Sequence, residues 1–196
     1  EYIPAEYAWA PIEAKGYMYI DCLWASGQYK GKGYGDSLME QCIQDSKDKG
    51  KLGLVCISSK KKMPFLSDPG FMRHKGFKLA DTSSPYFELL YLPFDSEAGV
   101  PWVKACAKDG RIDEMGWVLY YSNQCPHTEK YAPLLADIIK GQGMEYRLHK
   151  IDSREAAQSA PVLFTTYALF YNGKFVTNEV LSEKSFAKLW ERIRER

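Results

Sequence analysis

Residues 28–35 read Gln-Tyr-Lys-Gly-Lys-Gly-Tyr-Gly, three glycines in alternate positions with two lysines between and before them. Missing side chains let a ligand approach the main chain. A helix starting directly behind such a loop adds uncommitted N–H groups and the positive end of its dipole. The combination suits a pyrophosphate. Just upstream, Tyr19, Asp21 and Leu23 alternate along an apolar run, and the two-residue period of a strand would put them on one face. A carboxylate on that face can take a proton from an amine, and a phenol can supply one. Far downstream, Cys125 is followed by Pro126, His127 and Thr128 where a helix is expected to begin. The dipole of such a helix favours thiolate, so Cys125 is a candidate reactive thiol.

These residues need elements to hold them. Residues 17–25 are aromatic and apolar enough for a mostly buried strand, and 26–33 carry turn signals. A helix is expected from Gly33 to Lys49, with Tyr34, Leu38, Met39, Cys42 and Ile43 as its apolar stripe and Gly50 as its stop. Leu52 to Ser58 reads as the next strand, completing a βαβ unit with parallel strands and a right-handed crossover. After Pro64 comes a short helix or turn, then strands at Phe77–Ala80 and Phe87–Leu92. Proline, glycine and charge make 95–115 a linker, with one helical turn near Val103–Ala107.

The pattern restarts at Gly116. Trp117 to Tyr121 is a strand, and the helix behind Cys125 carries Tyr131, Leu134, Leu135, Ile138 and Ile139. A strand at Met144–Ile151 and a short helix at Ser153–Ser159 follow. Val162–Tyr171 and Lys174–Thr177 then form a hairpin about Asn172-Gly173, and a last helix is capped by Ser182. The expected division is therefore 1–94, a linker at 95–115, and 116–196.

Composition excludes several classes. The formal net charge is +1, so no global field draws the chain to nucleic acid or an anionic membrane. No apolar run reaches the length of a membrane span, and no metal-ligand spacing occurs. The five cysteines lack paired spacing, which points to reduced thiols and a cytoplasmic setting. Oligomeric state is left open.

The glycine loop can be compared with three known devices. A Walker A loop needs Lys-Ser/Thr after its last glycine, and Tyr34-Gly35-Asp36 does not supply it. A dinucleotide loop needs its third glycine one residue later, and an acid where Ser58-Ser59-Lys60 stands. Gln28, Gly31 and Gly33, between an apolar strand and an amphipathic helix, instead resemble the Gln/Arg-x-x-Gly-x-Gly/Ala signature of the GNAT acetyltransferases. Phe71-Met72-Arg73-His74-Lys75-Gly76-Phe77 is similar to that family's later Phe-Tyr-x-x-x-Gly-Phe segment.

The resemblance covers about residues 1–94 and implies a GNAT-like mixed sheet whose N-terminal part, about 50 residues of strand and helix, is missing. It implies acetyl-CoA as cosubstrate, an amine acceptor, and direct attack of the amine on the thioester. Amides from Tyr29 through Lys30, Gly31, Lys32 and Gly33 to Tyr34 would hold the pyrophosphate, with Leu23 and Trp24 beside the pantetheine arm. Asp21 becomes the first choice of base and Tyr19 a candidate acid or substrate contact. Met72 stands where the family carries its acidic tyrosine, and His74 is the candidate replacement. The second half resembles a small thioredoxin-like α/β domain in which Thr128 occupies the second cysteine position, and Pro161 lies early for that fold's cis-proline. Nearly the whole chain resembles the YoaP-type acetyltransferases. Two other readings stay open: a CoA-binding module with little catalysis, and a thiol redox protein acting through Cys125.

Overall fold

The computed structural model describes residues 1–195. Along the chain, β1 (Tyr2–Pro4), β2 (Ile12–Glu13) and β3 (Tyr17–Ile20) precede helix α1 (Tyr34–Asp48). Next come β4 (Gly53–Ser59), α2 (Pro69–His74), β5 (Lys78–Ser83), β6 (Phe87–Pro93) and the short β7 (Trp102–Val103). The second half runs β8 (Trp117–Ser122), α3 (Pro126–Gly141), β9 (Tyr146–Ile151), α4 (Arg154–Gln158), β10 (Tyr167–Tyr171), β11 (Lys174–Thr177) and α5 (Glu183–Arg194).

Two sheets carry the fold. The first has the order β1-β3-β4-β6-β5 and the second β11-β10-β8-β9, while β2 pairs with β7. β3 and β4 are parallel with α1 between them, as the expected crossover unit requires. β8 and β9 are likewise parallel around α3, and β10–β11 close the second sheet as an antiparallel hairpin. Asn172 and Gly173 both adopt positive φ at its tip, 46° and 78°, which the two-residue turn demands.

β4 shows why the molecule is layered. All seven of its residues are buried, so it reads as a continuous apolar run covered on both faces. On one face Leu54 and Cys56 join Met18, Ile20 and Leu90 beneath Met39 and Cys42 of α1 and Met72 of α2. On the other face Val55 and Ile57 join Tyr17, Tyr19, Phe87 and Leu89. That set is continuous with Val118, Ala168 and Phe170 of the second sheet. The outer face of the second sheet holds Trp117, Leu119, Tyr167 and Leu169 against α3 and α5. The order through the molecule is therefore helices, sheet, sheet, helices, with a shared core between the sheets.

Several expected elements are shorter or placed otherwise. β3 ends at Ile20: the Asp21 amide continues the β1 ladder to the Glu1 carbonyl at 3.1 Å, and the Cys22 amide shares that carbonyl at 3.4 Å and does not bond β4. The outer members of the α1 stripe face solvent, with Tyr34 47% and Leu38 49% exposed, while Met39 and Cys42 face the sheet. The hairpin strand starts at Tyr167, and the Thr165 hydroxyl before it donates to the Trp9 carbonyl. The stretch 95–115 holds the expected helical turn, as a 3-10 turn at Ala105–Ala107, and adds β7, with Val103 and Ala107 buried. It is tied down by Asp81, which accepts from the Val103 amide at 2.8 Å and pairs with Lys108.

Candidate functional site

The glycine loop lies at the carboxyl end of β3 and feeds α1 through Gly33, which is left-handed at φ 79° and serves as the helix N-cap. Gly31 is left-handed as well, at φ 73°. An added Cβ at Gly31 or Gly33 would meet nothing within 4 Å, so internal crowding does not demand glycine here. What these residues supply is the backbone turn and an uncovered main chain. The amides of Gly31, Lys32, Gly33, Tyr34 and Gly35 have no acceptor among the described residues, because the first helix-start bonds come from Asp36 and Ser37 to the Gly33 carbonyl. Five consecutive uncommitted donors at the start of a 15-residue helix are the kind of backbone that suits an anion. Gln28, Tyr29, Lys30 and Lys32 are exposed around the loop, and Tyr29 packs edge-on to Tyr34 with ring centres 5.9 Å apart.

Beside the loop the parallel pair opens. β3 pairs with β4 only from Tyr17↔Gly53 to Ile20↔Cys56, whereas β4 continues to Ser59 against β6. Ile57 to Ser59 therefore have no β3 partner, and the main chain from Asp21 onward is not bonded to β4. This end of β4 is polar but closed on itself. The Ser58 and Ser59 hydroxyls donate to the carbonyls of Ser67 and Lys61, at 2.7 and 2.6 Å. The buried Glu88 carboxylate opposite Ser58 is paired with Arg73 of α2. The two adjacent serines closing an apolar strand were the available sequence signal for this polar end.

The two segments behind the sequence resemblance converge in space. The Lys75 ammonium lies 2.6 Å from the Asp36 carboxylate, joining the end of α2 to the first turn of α1. The Phe71 ring packs 3.6 Å from the Cβ position of Gly35. His74, exposed at the end of α2, is thereby brought to the loop's side of the sheet. Met72 is 1% exposed inside the core with Met39 and Cys42, and it offers no group for proton transfer.

Tyr19, Asp21 and Leu23 do not share a face, because the strand stops before the second of them. Tyr19 is buried in the core between the sheets, and loss of water, with Asp21 as a neighbour, drives its hydroxyl pKa well above the usual phenol value. Leu23 packs on the opposite side with Met18 and Ile20. Asp21 lies between them and is half-buried. Loss of water, followed by the nearby Glu1 carboxylate, raises its pKa above the ordinary carboxylate range. Trp24 stands out into solvent, 73% exposed.

The carboxyl end of β8 approaches the same region. Asn178, just past β11, accepts from the Tyr86 hydroxyl at 2.7 Å and donates to the Pro64 carbonyl at 2.9 Å. Because β11 runs with β8, this clasp ties the carboxyl ends of the second sheet to the open end of β4. Cys125 is the N-cap of α3, partly exposed, with no capping hydrogen bond from its side chain. The Thr128 hydroxyl is turned inward to the Ser122 and Cys125 carbonyls, at 2.6 and 2.7 Å. Partial loss of water pushes the Cys22 thiol pKa up, although the residue is exposed. Among the described residues no group of three or more His, Cys, Asp or Glu is placed to hold a metal ion, and no helix is long and apolar enough to cross a membrane.

Fold and site together define a layered α/β protein with an open glycine loop at a helix start beside a parted parallel strand pair. The chain belongs to the YoaP-like family, as its sequence resemblance implied. The YoaP-like family model matches residues 146–188. The chain is 41% identical over 189 residues to the "Uncharacterized N-acetyltransferase YoaP" of Bacillus subtilis (strain 168), covering 96% of this chain and 75% of that protein. No solved structure matches the chain.

Proposed function

We propose that this protein transfers an acetyl group from acetyl-CoA to an amine by direct attack on the thioester, in a GNAT-like site at the opening between β3 and β4. The observation that carries this reading is the run of five free amides from Gly31 to Gly35 at the start of α1. Their number, their orientation at a helix start and the adjacent Lys30 and Lys32 match the charge of a pyrophosphate. The parted β3–β4 pair leaves main-chain groups near Leu23 and Trp24 to bond the amide-bearing pantetheine arm. The N-acetyltransferase name of the Bacillus subtilis relative supports the same chemistry.

Asp21 is the base in this reading. Its pKa is raised, which brings the carboxylate closer to neutral working pH and makes it a stronger acceptor for the amine proton. The nitrogen then attacks the thioester carbon, the C–S bond breaks, and the departing CoA sulfur takes a proton. With Met72 enclosed in the core, His74 is the assigned donor, because the Lys75–Asp36 pair draws the end of α2 toward the glycine loop. The second sheet serves as a thioredoxin-like module. Its β-α-β-α-β-β-α order and Cys125 at a helix start support that assignment.

Calorimetry with acetyl-CoA and with CoA tests the glycine loop, and thiol release with a panel of primary amines tests the chemistry. Binding of both nucleotides with amine-dependent thiol release is the expected result. Binding without release for any amine would reduce the site to a CoA-holding module. Absence of binding would remove the reading altogether.

A further inference from the structure

At the end of the second sheet away from Cys125, where β8 begins and α5 finishes, lies a recess of about 270 Å³. Its floor is the Trp117 ring, 1% exposed, and its walls include the half-buried Tyr171 and Trp190 rings. The three are in mutual contact, with ring centres 4.6 Å apart for Trp117–Tyr171, 5.6 Å for Trp117–Trp190 and 5.2 Å for Tyr171–Trp190. Met115 and Met144 flank them, and Glu145 completes the lining as its one charged member.

The rim is built, not incidental. Gly116 is left-handed at φ 74°, and a Cβ there would meet the Glu145 Cβ at 3.0 Å and its carbonyl at 3.2 Å. The Glu145 carboxylate is folded over this bare backbone, with Oε2 at 3.5 Å from that same position. It forms no ion pair or side-chain hydrogen bond among the described residues, although the chain carries 26 lysines and arginines. Asn172 is locked on the other side, its side chain accepting from the Gly116 amide at 2.9 Å and its own amide donating to the Gly116 carbonyl at 3.0 Å. The Trp117 indole N–H is buried and has no acceptor.

Aromatic faces attract cations through the ring quadrupole, most strongly when water is excluded, and an unpaired carboxylate beside them adds selectivity for positive charge. One such contact exists nearby, since the Arg194 guanidinium sits 5.4 Å from the centre of the Trp190 ring. An alkylated ammonium group is the ion that best fits an apolar, ring-lined space, because its methyl groups contact the rings while its charge stays diffuse. We propose that this recess binds a small quaternary ammonium solute of choline size, held against Tyr171 and Trp190 and charge-matched by Glu145. The proposal is independent of the acetyl-transfer reading.

The test is intrinsic tryptophan fluorescence of the full chain titrated with choline and with tetramethylammonium at constant ionic strength. Dimethylbutanol, the uncharged carbon isostere of choline, is the control. The expected result is a saturable change for both cations with half-saturation near about 1 mM, and none for the isostere. Glu145→Gln, at an exposed position, should weaken choline by roughly fivefold. Trp190→Leu, read by line broadening of the choline methyl proton resonance because the change removes a reporter ring, should abolish binding while far-ultraviolet dichroism shows the fold retained. Should Trp190→Leu unfold, the isostere and Glu145→Gln still decide the matter. Equal binding of the neutral isostere, an unchanged Glu145→Gln titration, or no saturable response in the wild-type chain would each overturn the proposal.

Discussion

Gly33 separates the demands of the fold from those of a ligand. It sits at φ 79°, a conformation that costs an L-residue roughly 1 to 2 kcal/mol, yet a Cβ there would meet no neighbour. Gly33→Val should therefore lower stability by only about that amount. The same change should abolish CoA binding, because its branches would stand where phosphates approach the amides. Thermal denaturation and calorimetry on one variant check both halves. A valine variant that keeps its affinity within a few-fold would show that the loop is not used. Asp21 carries a different kind of information. Its raised pKa comes first from lost water and then from a neighbouring carboxylate, so its basicity depends on the turn after Ile20 staying closed.

At the scale of elements, thiol accessibility reports which faces are covered. Cys42 lies on the inner face of α1 and Cys56 in the middle of β4, and both are buried, with burial pushing the Cys56 thiol to about 12. Cys22 and Cys106 are exposed, and Cys125 is partly so at the start of α3. Native protein treated with a maleimide should be modified at Cys22, Cys106 and Cys125, with Cys42 and Cys56 reacting only after unfolding. Mass mapping of the adducts checks the pattern. Modification of Cys56 at the same rate as Cys22 would contradict the layering around β4. If Cys22 and Cys125 react and CoA affinity falls as well, the carboxyl ends of the two sheets are coupled in solution, as the Asn178 clasp arranges them.

For the whole molecule, the shared core between the sheets sets the cooperativity. Val55, Ile57, Phe87 and Leu89 of one sheet and Val118, Ala168 and Phe170 of the other belong to one apolar cluster. Each large side chain of this kind contributes about 1.5 to 3 kcal/mol through burial, so neither sheet can lose the other without exposing many such groups. Denaturation should then appear as one transition, with tryptophan emission and Cys56 exposure changing at the same denaturant concentration. Two separated midpoints would show that the sheets unfold as independent units and that the contact between them is weak.

The local period of the chain was enough to locate most of the elements. The βαβ unit, the helix behind Cys125, the Asn172-Gly173 hairpin and the Ser182 cap follow from apolar spacing, glycine and capping chemistry acting within a few residues. The glycine loop was legible for the same reason, since its signal is contiguous. Where strand β3 ends was decided only in three dimensions, because the Cys22 amide shares the Glu1 carbonyl with Asp21 and does not bond β4, and no spacing rule contains that choice. That early end split Tyr19 from Leu23. Met72 likewise lies in the core with Met39, Cys42 and the β4 residues Leu54 and Cys56, a placement its local spacing does not contain. The face-to-face meeting of the sheets and the ring-lined recess with Glu145 join residues far apart in the chain, and such contacts depend on shape and burial that exist only after folding.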